Sequence, residues 1–293
     1  MKRVFKILIY ILLGLITLIK LAGCFTFRDS QKQAKDTFGK AGYQVQSHMI
    51  RAGNYTLHYI QTGIHDKQRP VLCFVHGSPG ASNNFNNNLL DSSLQSSFEM
   101  ISVDRPGFGY SNFGDPVPSL AQQASLLKNV LDSFTNRTII LVGHSYGGPL
   151  IGQIAADFSD RIAGLIIVAG SIDPDLEPYE WWRKPANSVF GKWLLPDFMT
   201  TSNAEIIPLK WDLEQLEPRW CRLKMPVIVI QGGRDNLVPS GNASFAENHL
   251  DSVSYLKIHR YSELNHFIPF TNHQIITEAI MEMDSVLNSQ RIN

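Results

Sequence analysis

The 293-residue sequence is poor in cysteine and has no excess of charge of either sign. Three cysteines are too few for a disulfide framework, and 26 basic against 26 acidic residues give no basic surface for nucleic acid. The sequence also has no internal repeat, no metal-ligand spacing and no phosphate-binding glycine loop. These absences argue against a solenoid, a metalloenzyme and a nucleotide-binding protein.

The most informative segment is Thr-Ile-Ile-Leu-Val-Gly-His-Ser-Tyr-Gly-Gly at residues 138–148. Its β-branched apolar start predicts a buried strand, and a helical pattern follows. Between the two, Gly143 and Gly147 flank Ser145 in a Gly-x-Ser-x-Gly motif. A sharp turn from strand to helix leaves no room for a Cβ at either flank and raises the serine hydroxyl above the sheet. The pattern therefore predicts a serine nucleophile.

A serine hydroxyl is a weak nucleophile at neutral pH, so this interpretation needs a base and a group that orients the base. Asp235 follows a buried-strand pattern at 225–233 that ends in glycines. His266 lies in a predicted loop beyond the strand-like residues 254–261. The three residues thus occur in the chain order Ser145, Asp235, His266, in which a nucleophile, an acid and a histidine can form a catalytic triad.

Two other carboxylates are alternatives for the acid. Asp173 lies just beyond the strand pattern at 162–168, so it too follows the end of a predicted strand. Glu263, three residues before His266, is a weaker candidate. We favour Asp235.

On these motifs the chain resembles the serine hydrolases of the α/β-hydrolase fold from about residue 43 to its C-terminus. His-Gly-Ser-Pro-Gly at residues 76–80 follows a buried strand pattern, where this family builds half of its oxyanion hole. Asp-Arg-Pro-Gly-Phe-Gly-Tyr-Ser at residues 104–111 follows the next strand pattern, as in many members. The resemblance implies that the backbone N–H groups of Ser78 and Tyr146 face the developing oxyanion, which fixed donors stabilise in a dry site.

The same loops contain residues of catalytic type for which we expect structural roles. His76 belongs to the oxyanion-loop motif, so we expect it to bond neighbouring backbone rather than to act as a base. Asp104 and Arg105 are expected to tie loops together.

The rest of the sequence predicts an α/β domain over residues 43–293. Alternating residues at 44–51 and 55–61 indicate an N-terminal β-hairpin. Further strands are expected near 71–75, 99–103, 138–142, 162–168, 225–230 and 254–260, and helices near 82–90, 119–134, 146–157, 241–250 and 272–289. This alternation predicts a mostly parallel, doubly wound sheet with helices on both faces, as in the α/β-hydrolase fold.

The alternation stops after the sixth strand, and residues 172–222 are therefore predicted to form a small helical lid. This interval contains all five tryptophans of the chain: Trp181, Trp182, Trp193, Trp211 and Trp220. A lid at this point would lie over the nucleophile, where aromatic side chains can form the walls of an apolar pocket. We expect at least one tryptophan to face the substrate.

The N-terminal segment predicts attachment to a membrane. Three basic residues precede an uncharged apolar run at 7–19, which has the length of a secretory signal and is short for a bilayer span. Leu-Ala-Gly-Cys at residues 21–24 resembles a bacterial lipobox, which predicts a signal peptide at 1–23 and a lipidated Cys24. The alternative is an uncleaved anchor that reaches to about residue 27.

A polar linker rich in Lys and Gln is predicted at residues 24–42. Removal of residues 1–23 takes away four positive charges and no negative one, so the formal charge falls from zero to −4. A mildly acidic surface again argues against nucleic acid as a partner. Phe25 is not the aspartate that retains many enterobacterial lipoproteins at the inner membrane, so the predicted location in the bacterial cell envelope is the outer membrane.

The two remaining cysteines, Cys73 and Cys221, lie in or just before buried strand patterns. We expect two buried free thiols, with a Cys73–Cys221 bridge as the alternative.

The sequence thus predicts a membrane-anchored serine hydrolase that cleaves a small to medium ester through an acyl-enzyme on Ser145, without metal or cofactor. An alternative is an aminopeptidase similar to proline iminopeptidases, whose His-Gly-Gly-Pro-Gly motif is close to residues 76–80. Those enzymes hold the amino group of the substrate with lid carboxylates; this lid offers Glu177, Glu180, Glu205 and Glu214. Ser78 departs from that motif.

A second alternative is a lipoprotein that uses the fold only for binding. The complete set of Ser145, Asp235 and His266 argues against it. Dehalogenases and epoxide hydrolases carry aspartate as the nucleophile, whereas this chain has Ser145.

Overall fold

An eight-stranded sheet forms the centre of the molecule. The computed structural model describes residues 26–292, together with Tyr10 and Gly14. The strands are β1 (Gln46–Ala52), β2 (Tyr55–Gly63), β3 (Val71–Val75), β4 (Glu99–Val103), β5 (Ile139–His144), β6 (Ile162–Val168), β7 (Val227–Gly232) and β8 (Leu256–Tyr261). Their order is β1-β2-β4-β3-β5-β6-β7-β8. Strand β2 pairs antiparallel with β1 and β4, and the other neighbours pair in parallel. The predicted sheet and N-terminal hairpin are confirmed.

Helices cover both faces of this sheet. They are α1 (Gln31–Lys40), α2 (Asn86–Leu89), α3 (Ser92–Ser97), α4 (Leu120–Leu131), α5 (Gly147–Asp157), α6 (Arg183–Ala186), α7 (Val189–Leu194), α8 (Asp197–Ile206), α9 (Leu209–Trp220), α10 (Asn242–His249), α11 (Ile268–Thr271) and α12 (His273–Ile292). Helices α6 to α9 occupy the interval where a lid was expected. The single helix expected over 82–90 is instead a 3₁₀ turn, Ser82–Phe85, followed by α2, because five of those nine residues are asparagine, a weak helix former.

Alternating side chains of the strands build two apolar layers, one on each face of the sheet. Leu141 of β5 packs in the same cluster as Leu127 of α4 and Leu150 of α5. The neighbouring Ile140 belongs to the opposite cluster, with Ile276 of α12. Successive residues of a strand point to opposite faces, which explains this division. Since both faces are covered, functional side chains are left to the loops at the carboxyl ends of the strands.

Helix α1 lies within the segment that was expected to be a polar linker. Ser30 caps it, because its hydroxyl accepts a hydrogen bond from the backbone of Gln33 while the Gln33 side chain accepts one from the backbone of Ser30. Phe38 is fully buried in the same apolar cluster as Leu72 and Leu89. Phe38 is the one buried side chain of this otherwise polar helix, and the polar composition of the segment hid its contact with the domain.

The predicted signal peptide at residues 1–23 and Cys24 lie outside the described residues. None of the helices within residues 26–292 combines the length and the apolar character that crossing a bilayer requires.

The two cysteines of the described region are free thiols in different surroundings. Cys73 is buried in β3, and burial raises the pKa of its thiol to about 12. Cys221 is exposed just after α9. The expectation of a buried thiol is confirmed for Cys73 and wrong for Cys221, because the apolar strand pattern that follows Cys221 begins only at β7.

Candidate active site

Ser145 lies at the sharp turn between β5 and α5, with a φ angle of 55°. A Cβ on Gly143 would lie 2.3 Å from the Gly147 carbonyl oxygen, and one on Gly147 would lie 2.3 Å from the Val75 carbonyl oxygen. Neither position can hold a side chain without moving backbone. The left-handed conformation of a serine is unusual, and the packed strand and helix on either side hold it in place.

His266 and Asp235 form a buried pair. The Nδ1 atom of His266 lies 2.8 Å from Oδ2 of Asp235. The other carboxylate oxygen of Asp235 accepts hydrogen bonds from the backbone N–H groups of Leu237, at 2.9 Å, and Val238, at 2.8 Å. A carboxylate can only accept, so Nδ1 carries the proton and Nε2 is left to take one. Asp235 follows β7, and His266 lies in the loop between β8 and α11.

The structure does not bring the other candidate acids to His266. Asp173 accepts a hydrogen bond from the Asp175 backbone at 2.9 Å and caps the 3₁₀ turn Pro174–Leu176. Glu263 is exposed and accepts a hydrogen bond from the hydroxyl of Ser262. Among the described side chains, Asp235 is the carboxylate in contact with the imidazole.

The two expected oxyanion-hole residues meet Ser145 at one cavity. Ser78 and Tyr146 both line it, together with Ser145 and His266. The loop that carries Ser78 lies against Ser145, since a Cβ on Gly77 would be only 2.9 Å from Cβ of Ser145. Tyr146 directly precedes α5, where the positive end of a helix dipole favours developing negative charge.

Arg105 holds the loop that carries Ser78 in place. Its guanidinium donates to the carbonyl oxygens of His76, at 3.0 Å, and Gly77, at 2.9 Å. It also forms a bidentate ion pair with Glu205 of α8, at 2.7 and 2.8 Å, and lies 4.4 Å from the centre of the Tyr146 ring. Arg105 and Glu205 are both buried. The expectation that Arg105 ties loops together is confirmed, but the sequence did not identify its lid partner.

His76 has the structural role that the sequence indicated. Its Nδ1 lies 2.7 Å from the Gly77 carbonyl oxygen, and its Nε2 accepts a hydrogen bond from the Arg105 backbone at 3.0 Å. Burial, together with the charge of Arg105, lowers the pKa of His76 to about 3. A neutral imidazole with both nitrogens engaged is not available as a base.

His144 is a buried residue of the site that the sequence analysis did not single out. Its Nε2 lies 2.9 Å from the carbonyl oxygen of His266, and the two rings have centroids 4.8 Å apart. Burial lowers the pKa of His144 to about 3, and the proximity of His266 acts in the same direction. A neutral His144 with its proton on Nε2 donates to that carbonyl and fixes the loop of His266. His144 directly precedes Ser145 in the Gly-x-Ser-x-Gly motif, and this position could have indicated from the sequence that it belongs to the site.

The cavity around Ser145 has a volume of about 770 Å³, within the range of small-molecule sites. Its apolar lining includes Phe27, Ile206, Leu209, Leu237, Val238, Phe267 and Phe270. Its charged lining consists of Glu177, Glu180 and Arg183, all from the lid. The room and the apolar walls suit an acyl chain.

None of the lining residues that the structure describes is a tryptophan, so the expectation that one faces the substrate is wrong. Trp220 is buried in the domain core, where a Cβ on Gly152 would lie 2.2 Å from its ring. Trp181, Trp193 and Trp211 are more than half exposed. Phenylalanines line the cavity instead: Phe27 of the N-terminal segment, Phe267 of the loop after β8 and Phe270 of α11.

The charged groups of the cavity are partly neutralised by one another. Glu180 forms an ion pair with Arg183. Glu177 accepts a hydrogen bond from the hydroxyl of Ser171. Burial raises the pKa of Glu177 to about 7, although the charge of Arg183 opposes this shift. Glu177 therefore changes its charge near neutral pH.

Comparison with known proteins agrees with this fold. A family profile described as the alpha/beta hydrolase fold matches residues 70–195. An uncharacterized hydrolase of Saccharomyces cerevisiae is 23% identical over 73% of this chain and 89% of its own length. A 2-hydroxy-6-oxononadienedioate/2-hydroxy-6-oxononatrienedioate hydrolase of Paraburkholderia phymatum is 34% identical, but the match covers only 39% of this chain and 40% of that protein.

The solved structure of a membrane phospholipase A, described as a bacterial virulence factor, superposes with a TM-score of 0.65. The match covers 98% of this chain and 99% of that one, at 15% identity, which shows a common fold. The chain therefore has the α/β-hydrolase fold, and the names of its relatives support a hydrolase.

Proposed function

We propose that this protein is a serine hydrolase that cleaves a small to medium ester through an acyl-enzyme on Ser145. One observation carries the proposal: Ser145, at φ 55° on its strand-to-helix turn, lines the same cavity as His266, which is paired with Asp235. A nucleophile, a base and an orienting carboxylate are the three parts that acyl transfer to a hydroxyl requires.

In the proposed reaction, Nε2 of His266 takes the hydroxyl proton of Ser145 while the serine oxygen attacks the ester carbonyl carbon. Asp235 holds the imidazole with its proton on Nδ1 and stabilises the imidazolium that forms. The imidazolium then gives its proton to the leaving alcohol, and the carbon–oxygen bond to that alcohol breaks. Water, deprotonated by His266, then attacks the carbonyl carbon of the acyl-enzyme. The bond from that carbon to the Ser145 oxygen breaks, the imidazolium returns its proton to the serine oxygen, and the carboxylic acid is released.

The tetrahedral intermediate needs donors for its oxyanion. We assign this role to the backbone N–H groups of Ser78 and Tyr146. The contacts of Arg105 with the carbonyl oxygens of His76 and Gly77 support the assignment, because they fix the loop that carries Ser78. Donors held in advance stabilise the transition state without reorganisation.

A substrate panel tests the reaction class. The full-length chain, in detergent, is given acyl esters of graded chain length beside aminoacyl and prolyl amides. We expect turnover of short to medium esters to exceed that of the amides, because the cavity is walled largely by apolar side chains. A preference for substrates with a free α-amino group would contradict the proposal.

The aminopeptidase alternative draws on Glu177 and Glu180, which line the cavity and could hold an ammonium group. Against it, Glu180 is already paired with Arg183, Glu205 is buried against Arg105, and Glu214 is exposed. That leaves Glu177 as the member of this set that could hold an ammonium group. If the alternative is correct, Glu177→Gln will reduce prolyl amide turnover and spare esters.

We also propose that the chain is a lipoprotein of the bacterial cell envelope, modified on Cys24. Support comes from the residues Leu-Ala-Gly-Cys at 21–24 and from the basic and apolar segment before them. A diacylglyceryl group with a further acyl chain on the new amine satisfies the two-signal requirement for stable anchoring. Intact-mass analysis should find a chain that begins at Cys24 with added lipid mass. A chain that begins at Met1 without lipid would indicate an uncleaved anchor.

A further inference from the structure

Large apolar side chains are exposed mainly in one part of the described molecule. Of the fifteen such residues, eight fall between residues 179 and 211, and three more line the active-site cavity. Trp181 and Phe190 expose 71% and 70% of their surface. A concentration of exposed aromatic side chains beside a substrate cavity indicates an interaction surface.

The exposed aromatics of the lid adjoin the mouth of the cavity. Glu180 and Arg183 line the cavity, and Trp181 and Trp182 lie between them in the chain. The guanidinium of Arg183 lies 4.6 Å from the centre of the Trp182 ring. We call residues 179–193 the lid surface.

The charge of the lid surface fits an anionic partner. The lid surface contains Arg183, Lys184 and Lys192 against one acidic residue, Glu180, which is paired with Arg183. Both lysines are exposed, so two positive charges of this surface are free to meet a partner. Trp and Phe beside Lys and Arg are the composition of segments that lie in the headgroup region of an anionic bilayer.

The N-terminal end of the described chain also lies at the cavity. Phe27 lines the cavity, and its ring packs edge-on against Phe198 of α8 at 4.9 Å. The guanidinium of Arg28 donates to the Gly109 carbonyl and lies 4.0 Å from the centre of the Tyr110 ring. The point at which the chain passes to its predicted membrane anchor is therefore fixed at the active site.

The length of chain beyond this point limits the distance to the membrane. Cys24 precedes Phe27 by three residues, and three residues span at most about 11 Å. A lipid on Cys24, or an uncleaved apolar segment before it, would anchor the chain within that distance of a cavity-lining residue. Either form of anchor keeps Phe27, and with it the cavity, close to the bilayer.

We propose that the cavity mouth and the lid surface rest on the anionic bilayer that holds the N-terminal segment, and that the substrate is a membrane lipid ester whose acyl chain enters from the bilayer. This substrate class rests on the serine hydrolase function proposed above and extends its substrate from a small to medium ester to a larger lipid, of which the ester group and the acyl chain enter the cavity. The contact with the bilayer does not depend on it, so the two can be tested separately.

Quenching by brominated lipid tests the contact. The full-length chain is reconstituted into vesicles of phosphatidylcholine and phosphatidylglycerol, with or without bromine on the acyl chains. We expect bromine to quench tryptophan fluorescence, and the triple variant Trp181→Phe/Trp182→Phe/Trp193→Phe, which removes every tryptophan of the lid surface, to lose most of that quenching. Absence of quenching in the wild type, or equal quenching in the variant, would overturn the proposal. Self-association that disappears in the triple variant, without quenching in the wild type, would assign the surface to a second copy of the chain.

A comparison of vesicle phospholipid with a short soluble ester tests whether the substrate enters the cavity from the bilayer. Trp181→Glu/Phe190→Glu places two negative charges on the lid surface, so we expect hydrolysis of vesicle phospholipid to fall about tenfold or more. Turnover of a short soluble ester should stay within about twofold, because neither residue lines the cavity. Met49→Glu is the matched control, since Met49 is 56% exposed on β1 and should alter neither activity.

The outcomes separate the two proposals. Unchanged lipid hydrolysis in the double glutamate variant, or an equal loss on both substrates, would overturn the entry route from the bilayer. If no ester is hydrolysed and Ser145 cannot be labelled, the hydrolase function fails, while the quenching experiment still decides the membrane contact.

Discussion

Two groups of serine, histidine and aspartate lie in this molecule, and their hydrogen bonds are similar. In the first, His266 and Asp235 are paired at 2.8 Å beside Ser145. In the second, Nδ1 of His58 lies 2.7 Å from Asp104, and Nε2 of His58 lies 2.9 Å from the hydroxyl of Ser47. Judged only by contacts between side chains, the second group is the more complete triad.

The surroundings of the two serines differ. Ser47 lies within β1, paired to β2 in regular register, whereas Ser145 stands at a left-handed turn before a helix. The space lined by Ser47 and His58 is about 30 Å³, roughly the volume of one water molecule, while the cavity at Ser145 is about 770 Å³. The second group has no room for an acyl group.

The two aspartates also serve different purposes. Asp104 accepts hydrogen bonds from the Ser82 backbone at 2.6 Å and the Tyr110 backbone at 2.8 Å, in addition to His58. Burial alone would raise the pKa of Asp104, but these hydrogen bonds outweigh it and hold the pKa below its usual value. Asp104 thus joins two loops to the sheet. A triad of residue types becomes an active site only where backbone strain, an oxyanion hole and a cavity coincide.

The largest expected difference lies between the two serines. Ser145→Ala should lower ester turnover by a factor on the order of 10⁴ or more and abolish labelling by a fluorophosphonate. Ser47→Ala should leave labelling and turnover nearly unchanged. Labelling that persists in Ser145→Ala and disappears in Ser47→Ala would reverse the comparison.

Substitution of Asp235 should mainly reduce turnover, whereas substitution of Asp104 should mainly reduce stability. Asp235→Asn should cut turnover by a factor on the order of 10³–10⁴ with little loss of Tm, because an amide favours the wrong tautomer of His266. Asp104→Asn should lower Tm, because it breaks the links of two loops to the sheet. Ester turnover and Tm are measured for both variants, with Asp173→Asn as a control. A large kinetic loss in Asp173→Asn alone would move the acid to Asp173.

The variant Glu205→Gln tests whether the lid, through Arg105, positions the loop that carries Ser78. The change leaves the buried Arg105 without its ion-pair partner, so we expect a loss of stability of about 3–5 kcal/mol. Displacement of the oxyanion loop should lower kcat by roughly 10–100-fold, measured below the Tm of the variant. Glu214→Gln, on an exposed lid residue, should change neither quantity. Unaltered kcat in Glu205→Gln would show that the lid does not position the loop.

The smallest expected effect concerns pH. Burial raises the pKa of Glu177 to about 7, above its ordinary value of 4.5, so its contribution to stability is complete below about pH 4.5 and is lost as the pH rises through about 7. Glu177→Gln does not titrate. Its Tm relative to the wild type should therefore increase by a few degrees between pH 5 and pH 8.5. A Tm difference that stays constant with pH would mean that Glu177 ionises normally.

Much of the first site could be predicted because its residues are tied to local backbone. The Gly-x-Ser-x-Gly turn after an apolar run predicted the position of Ser145, and the ends of two later strand patterns predicted Asp235 and His266. The second group could not be found in this way, because Ser47, His58 and Asp104 come from two strands and a loop and share no motif. Glu205 was available only as one of several lid glutamates.

The sequence by itself determined the strands, the strained serine turn and the order of the catalytic residue types, because periodicity and steric limits act over a few neighbouring residues. Only the tertiary structure decided which acid meets His266, which glutamate neutralises Arg105, and that phenylalanines rather than tryptophans line the cavity. It also decided that Phe27, near the start of the described chain, lines the cavity at Ser145. Such contacts join residues far apart in the chain, and they depend on the packing of the lid and the N-terminal segment on the sheet.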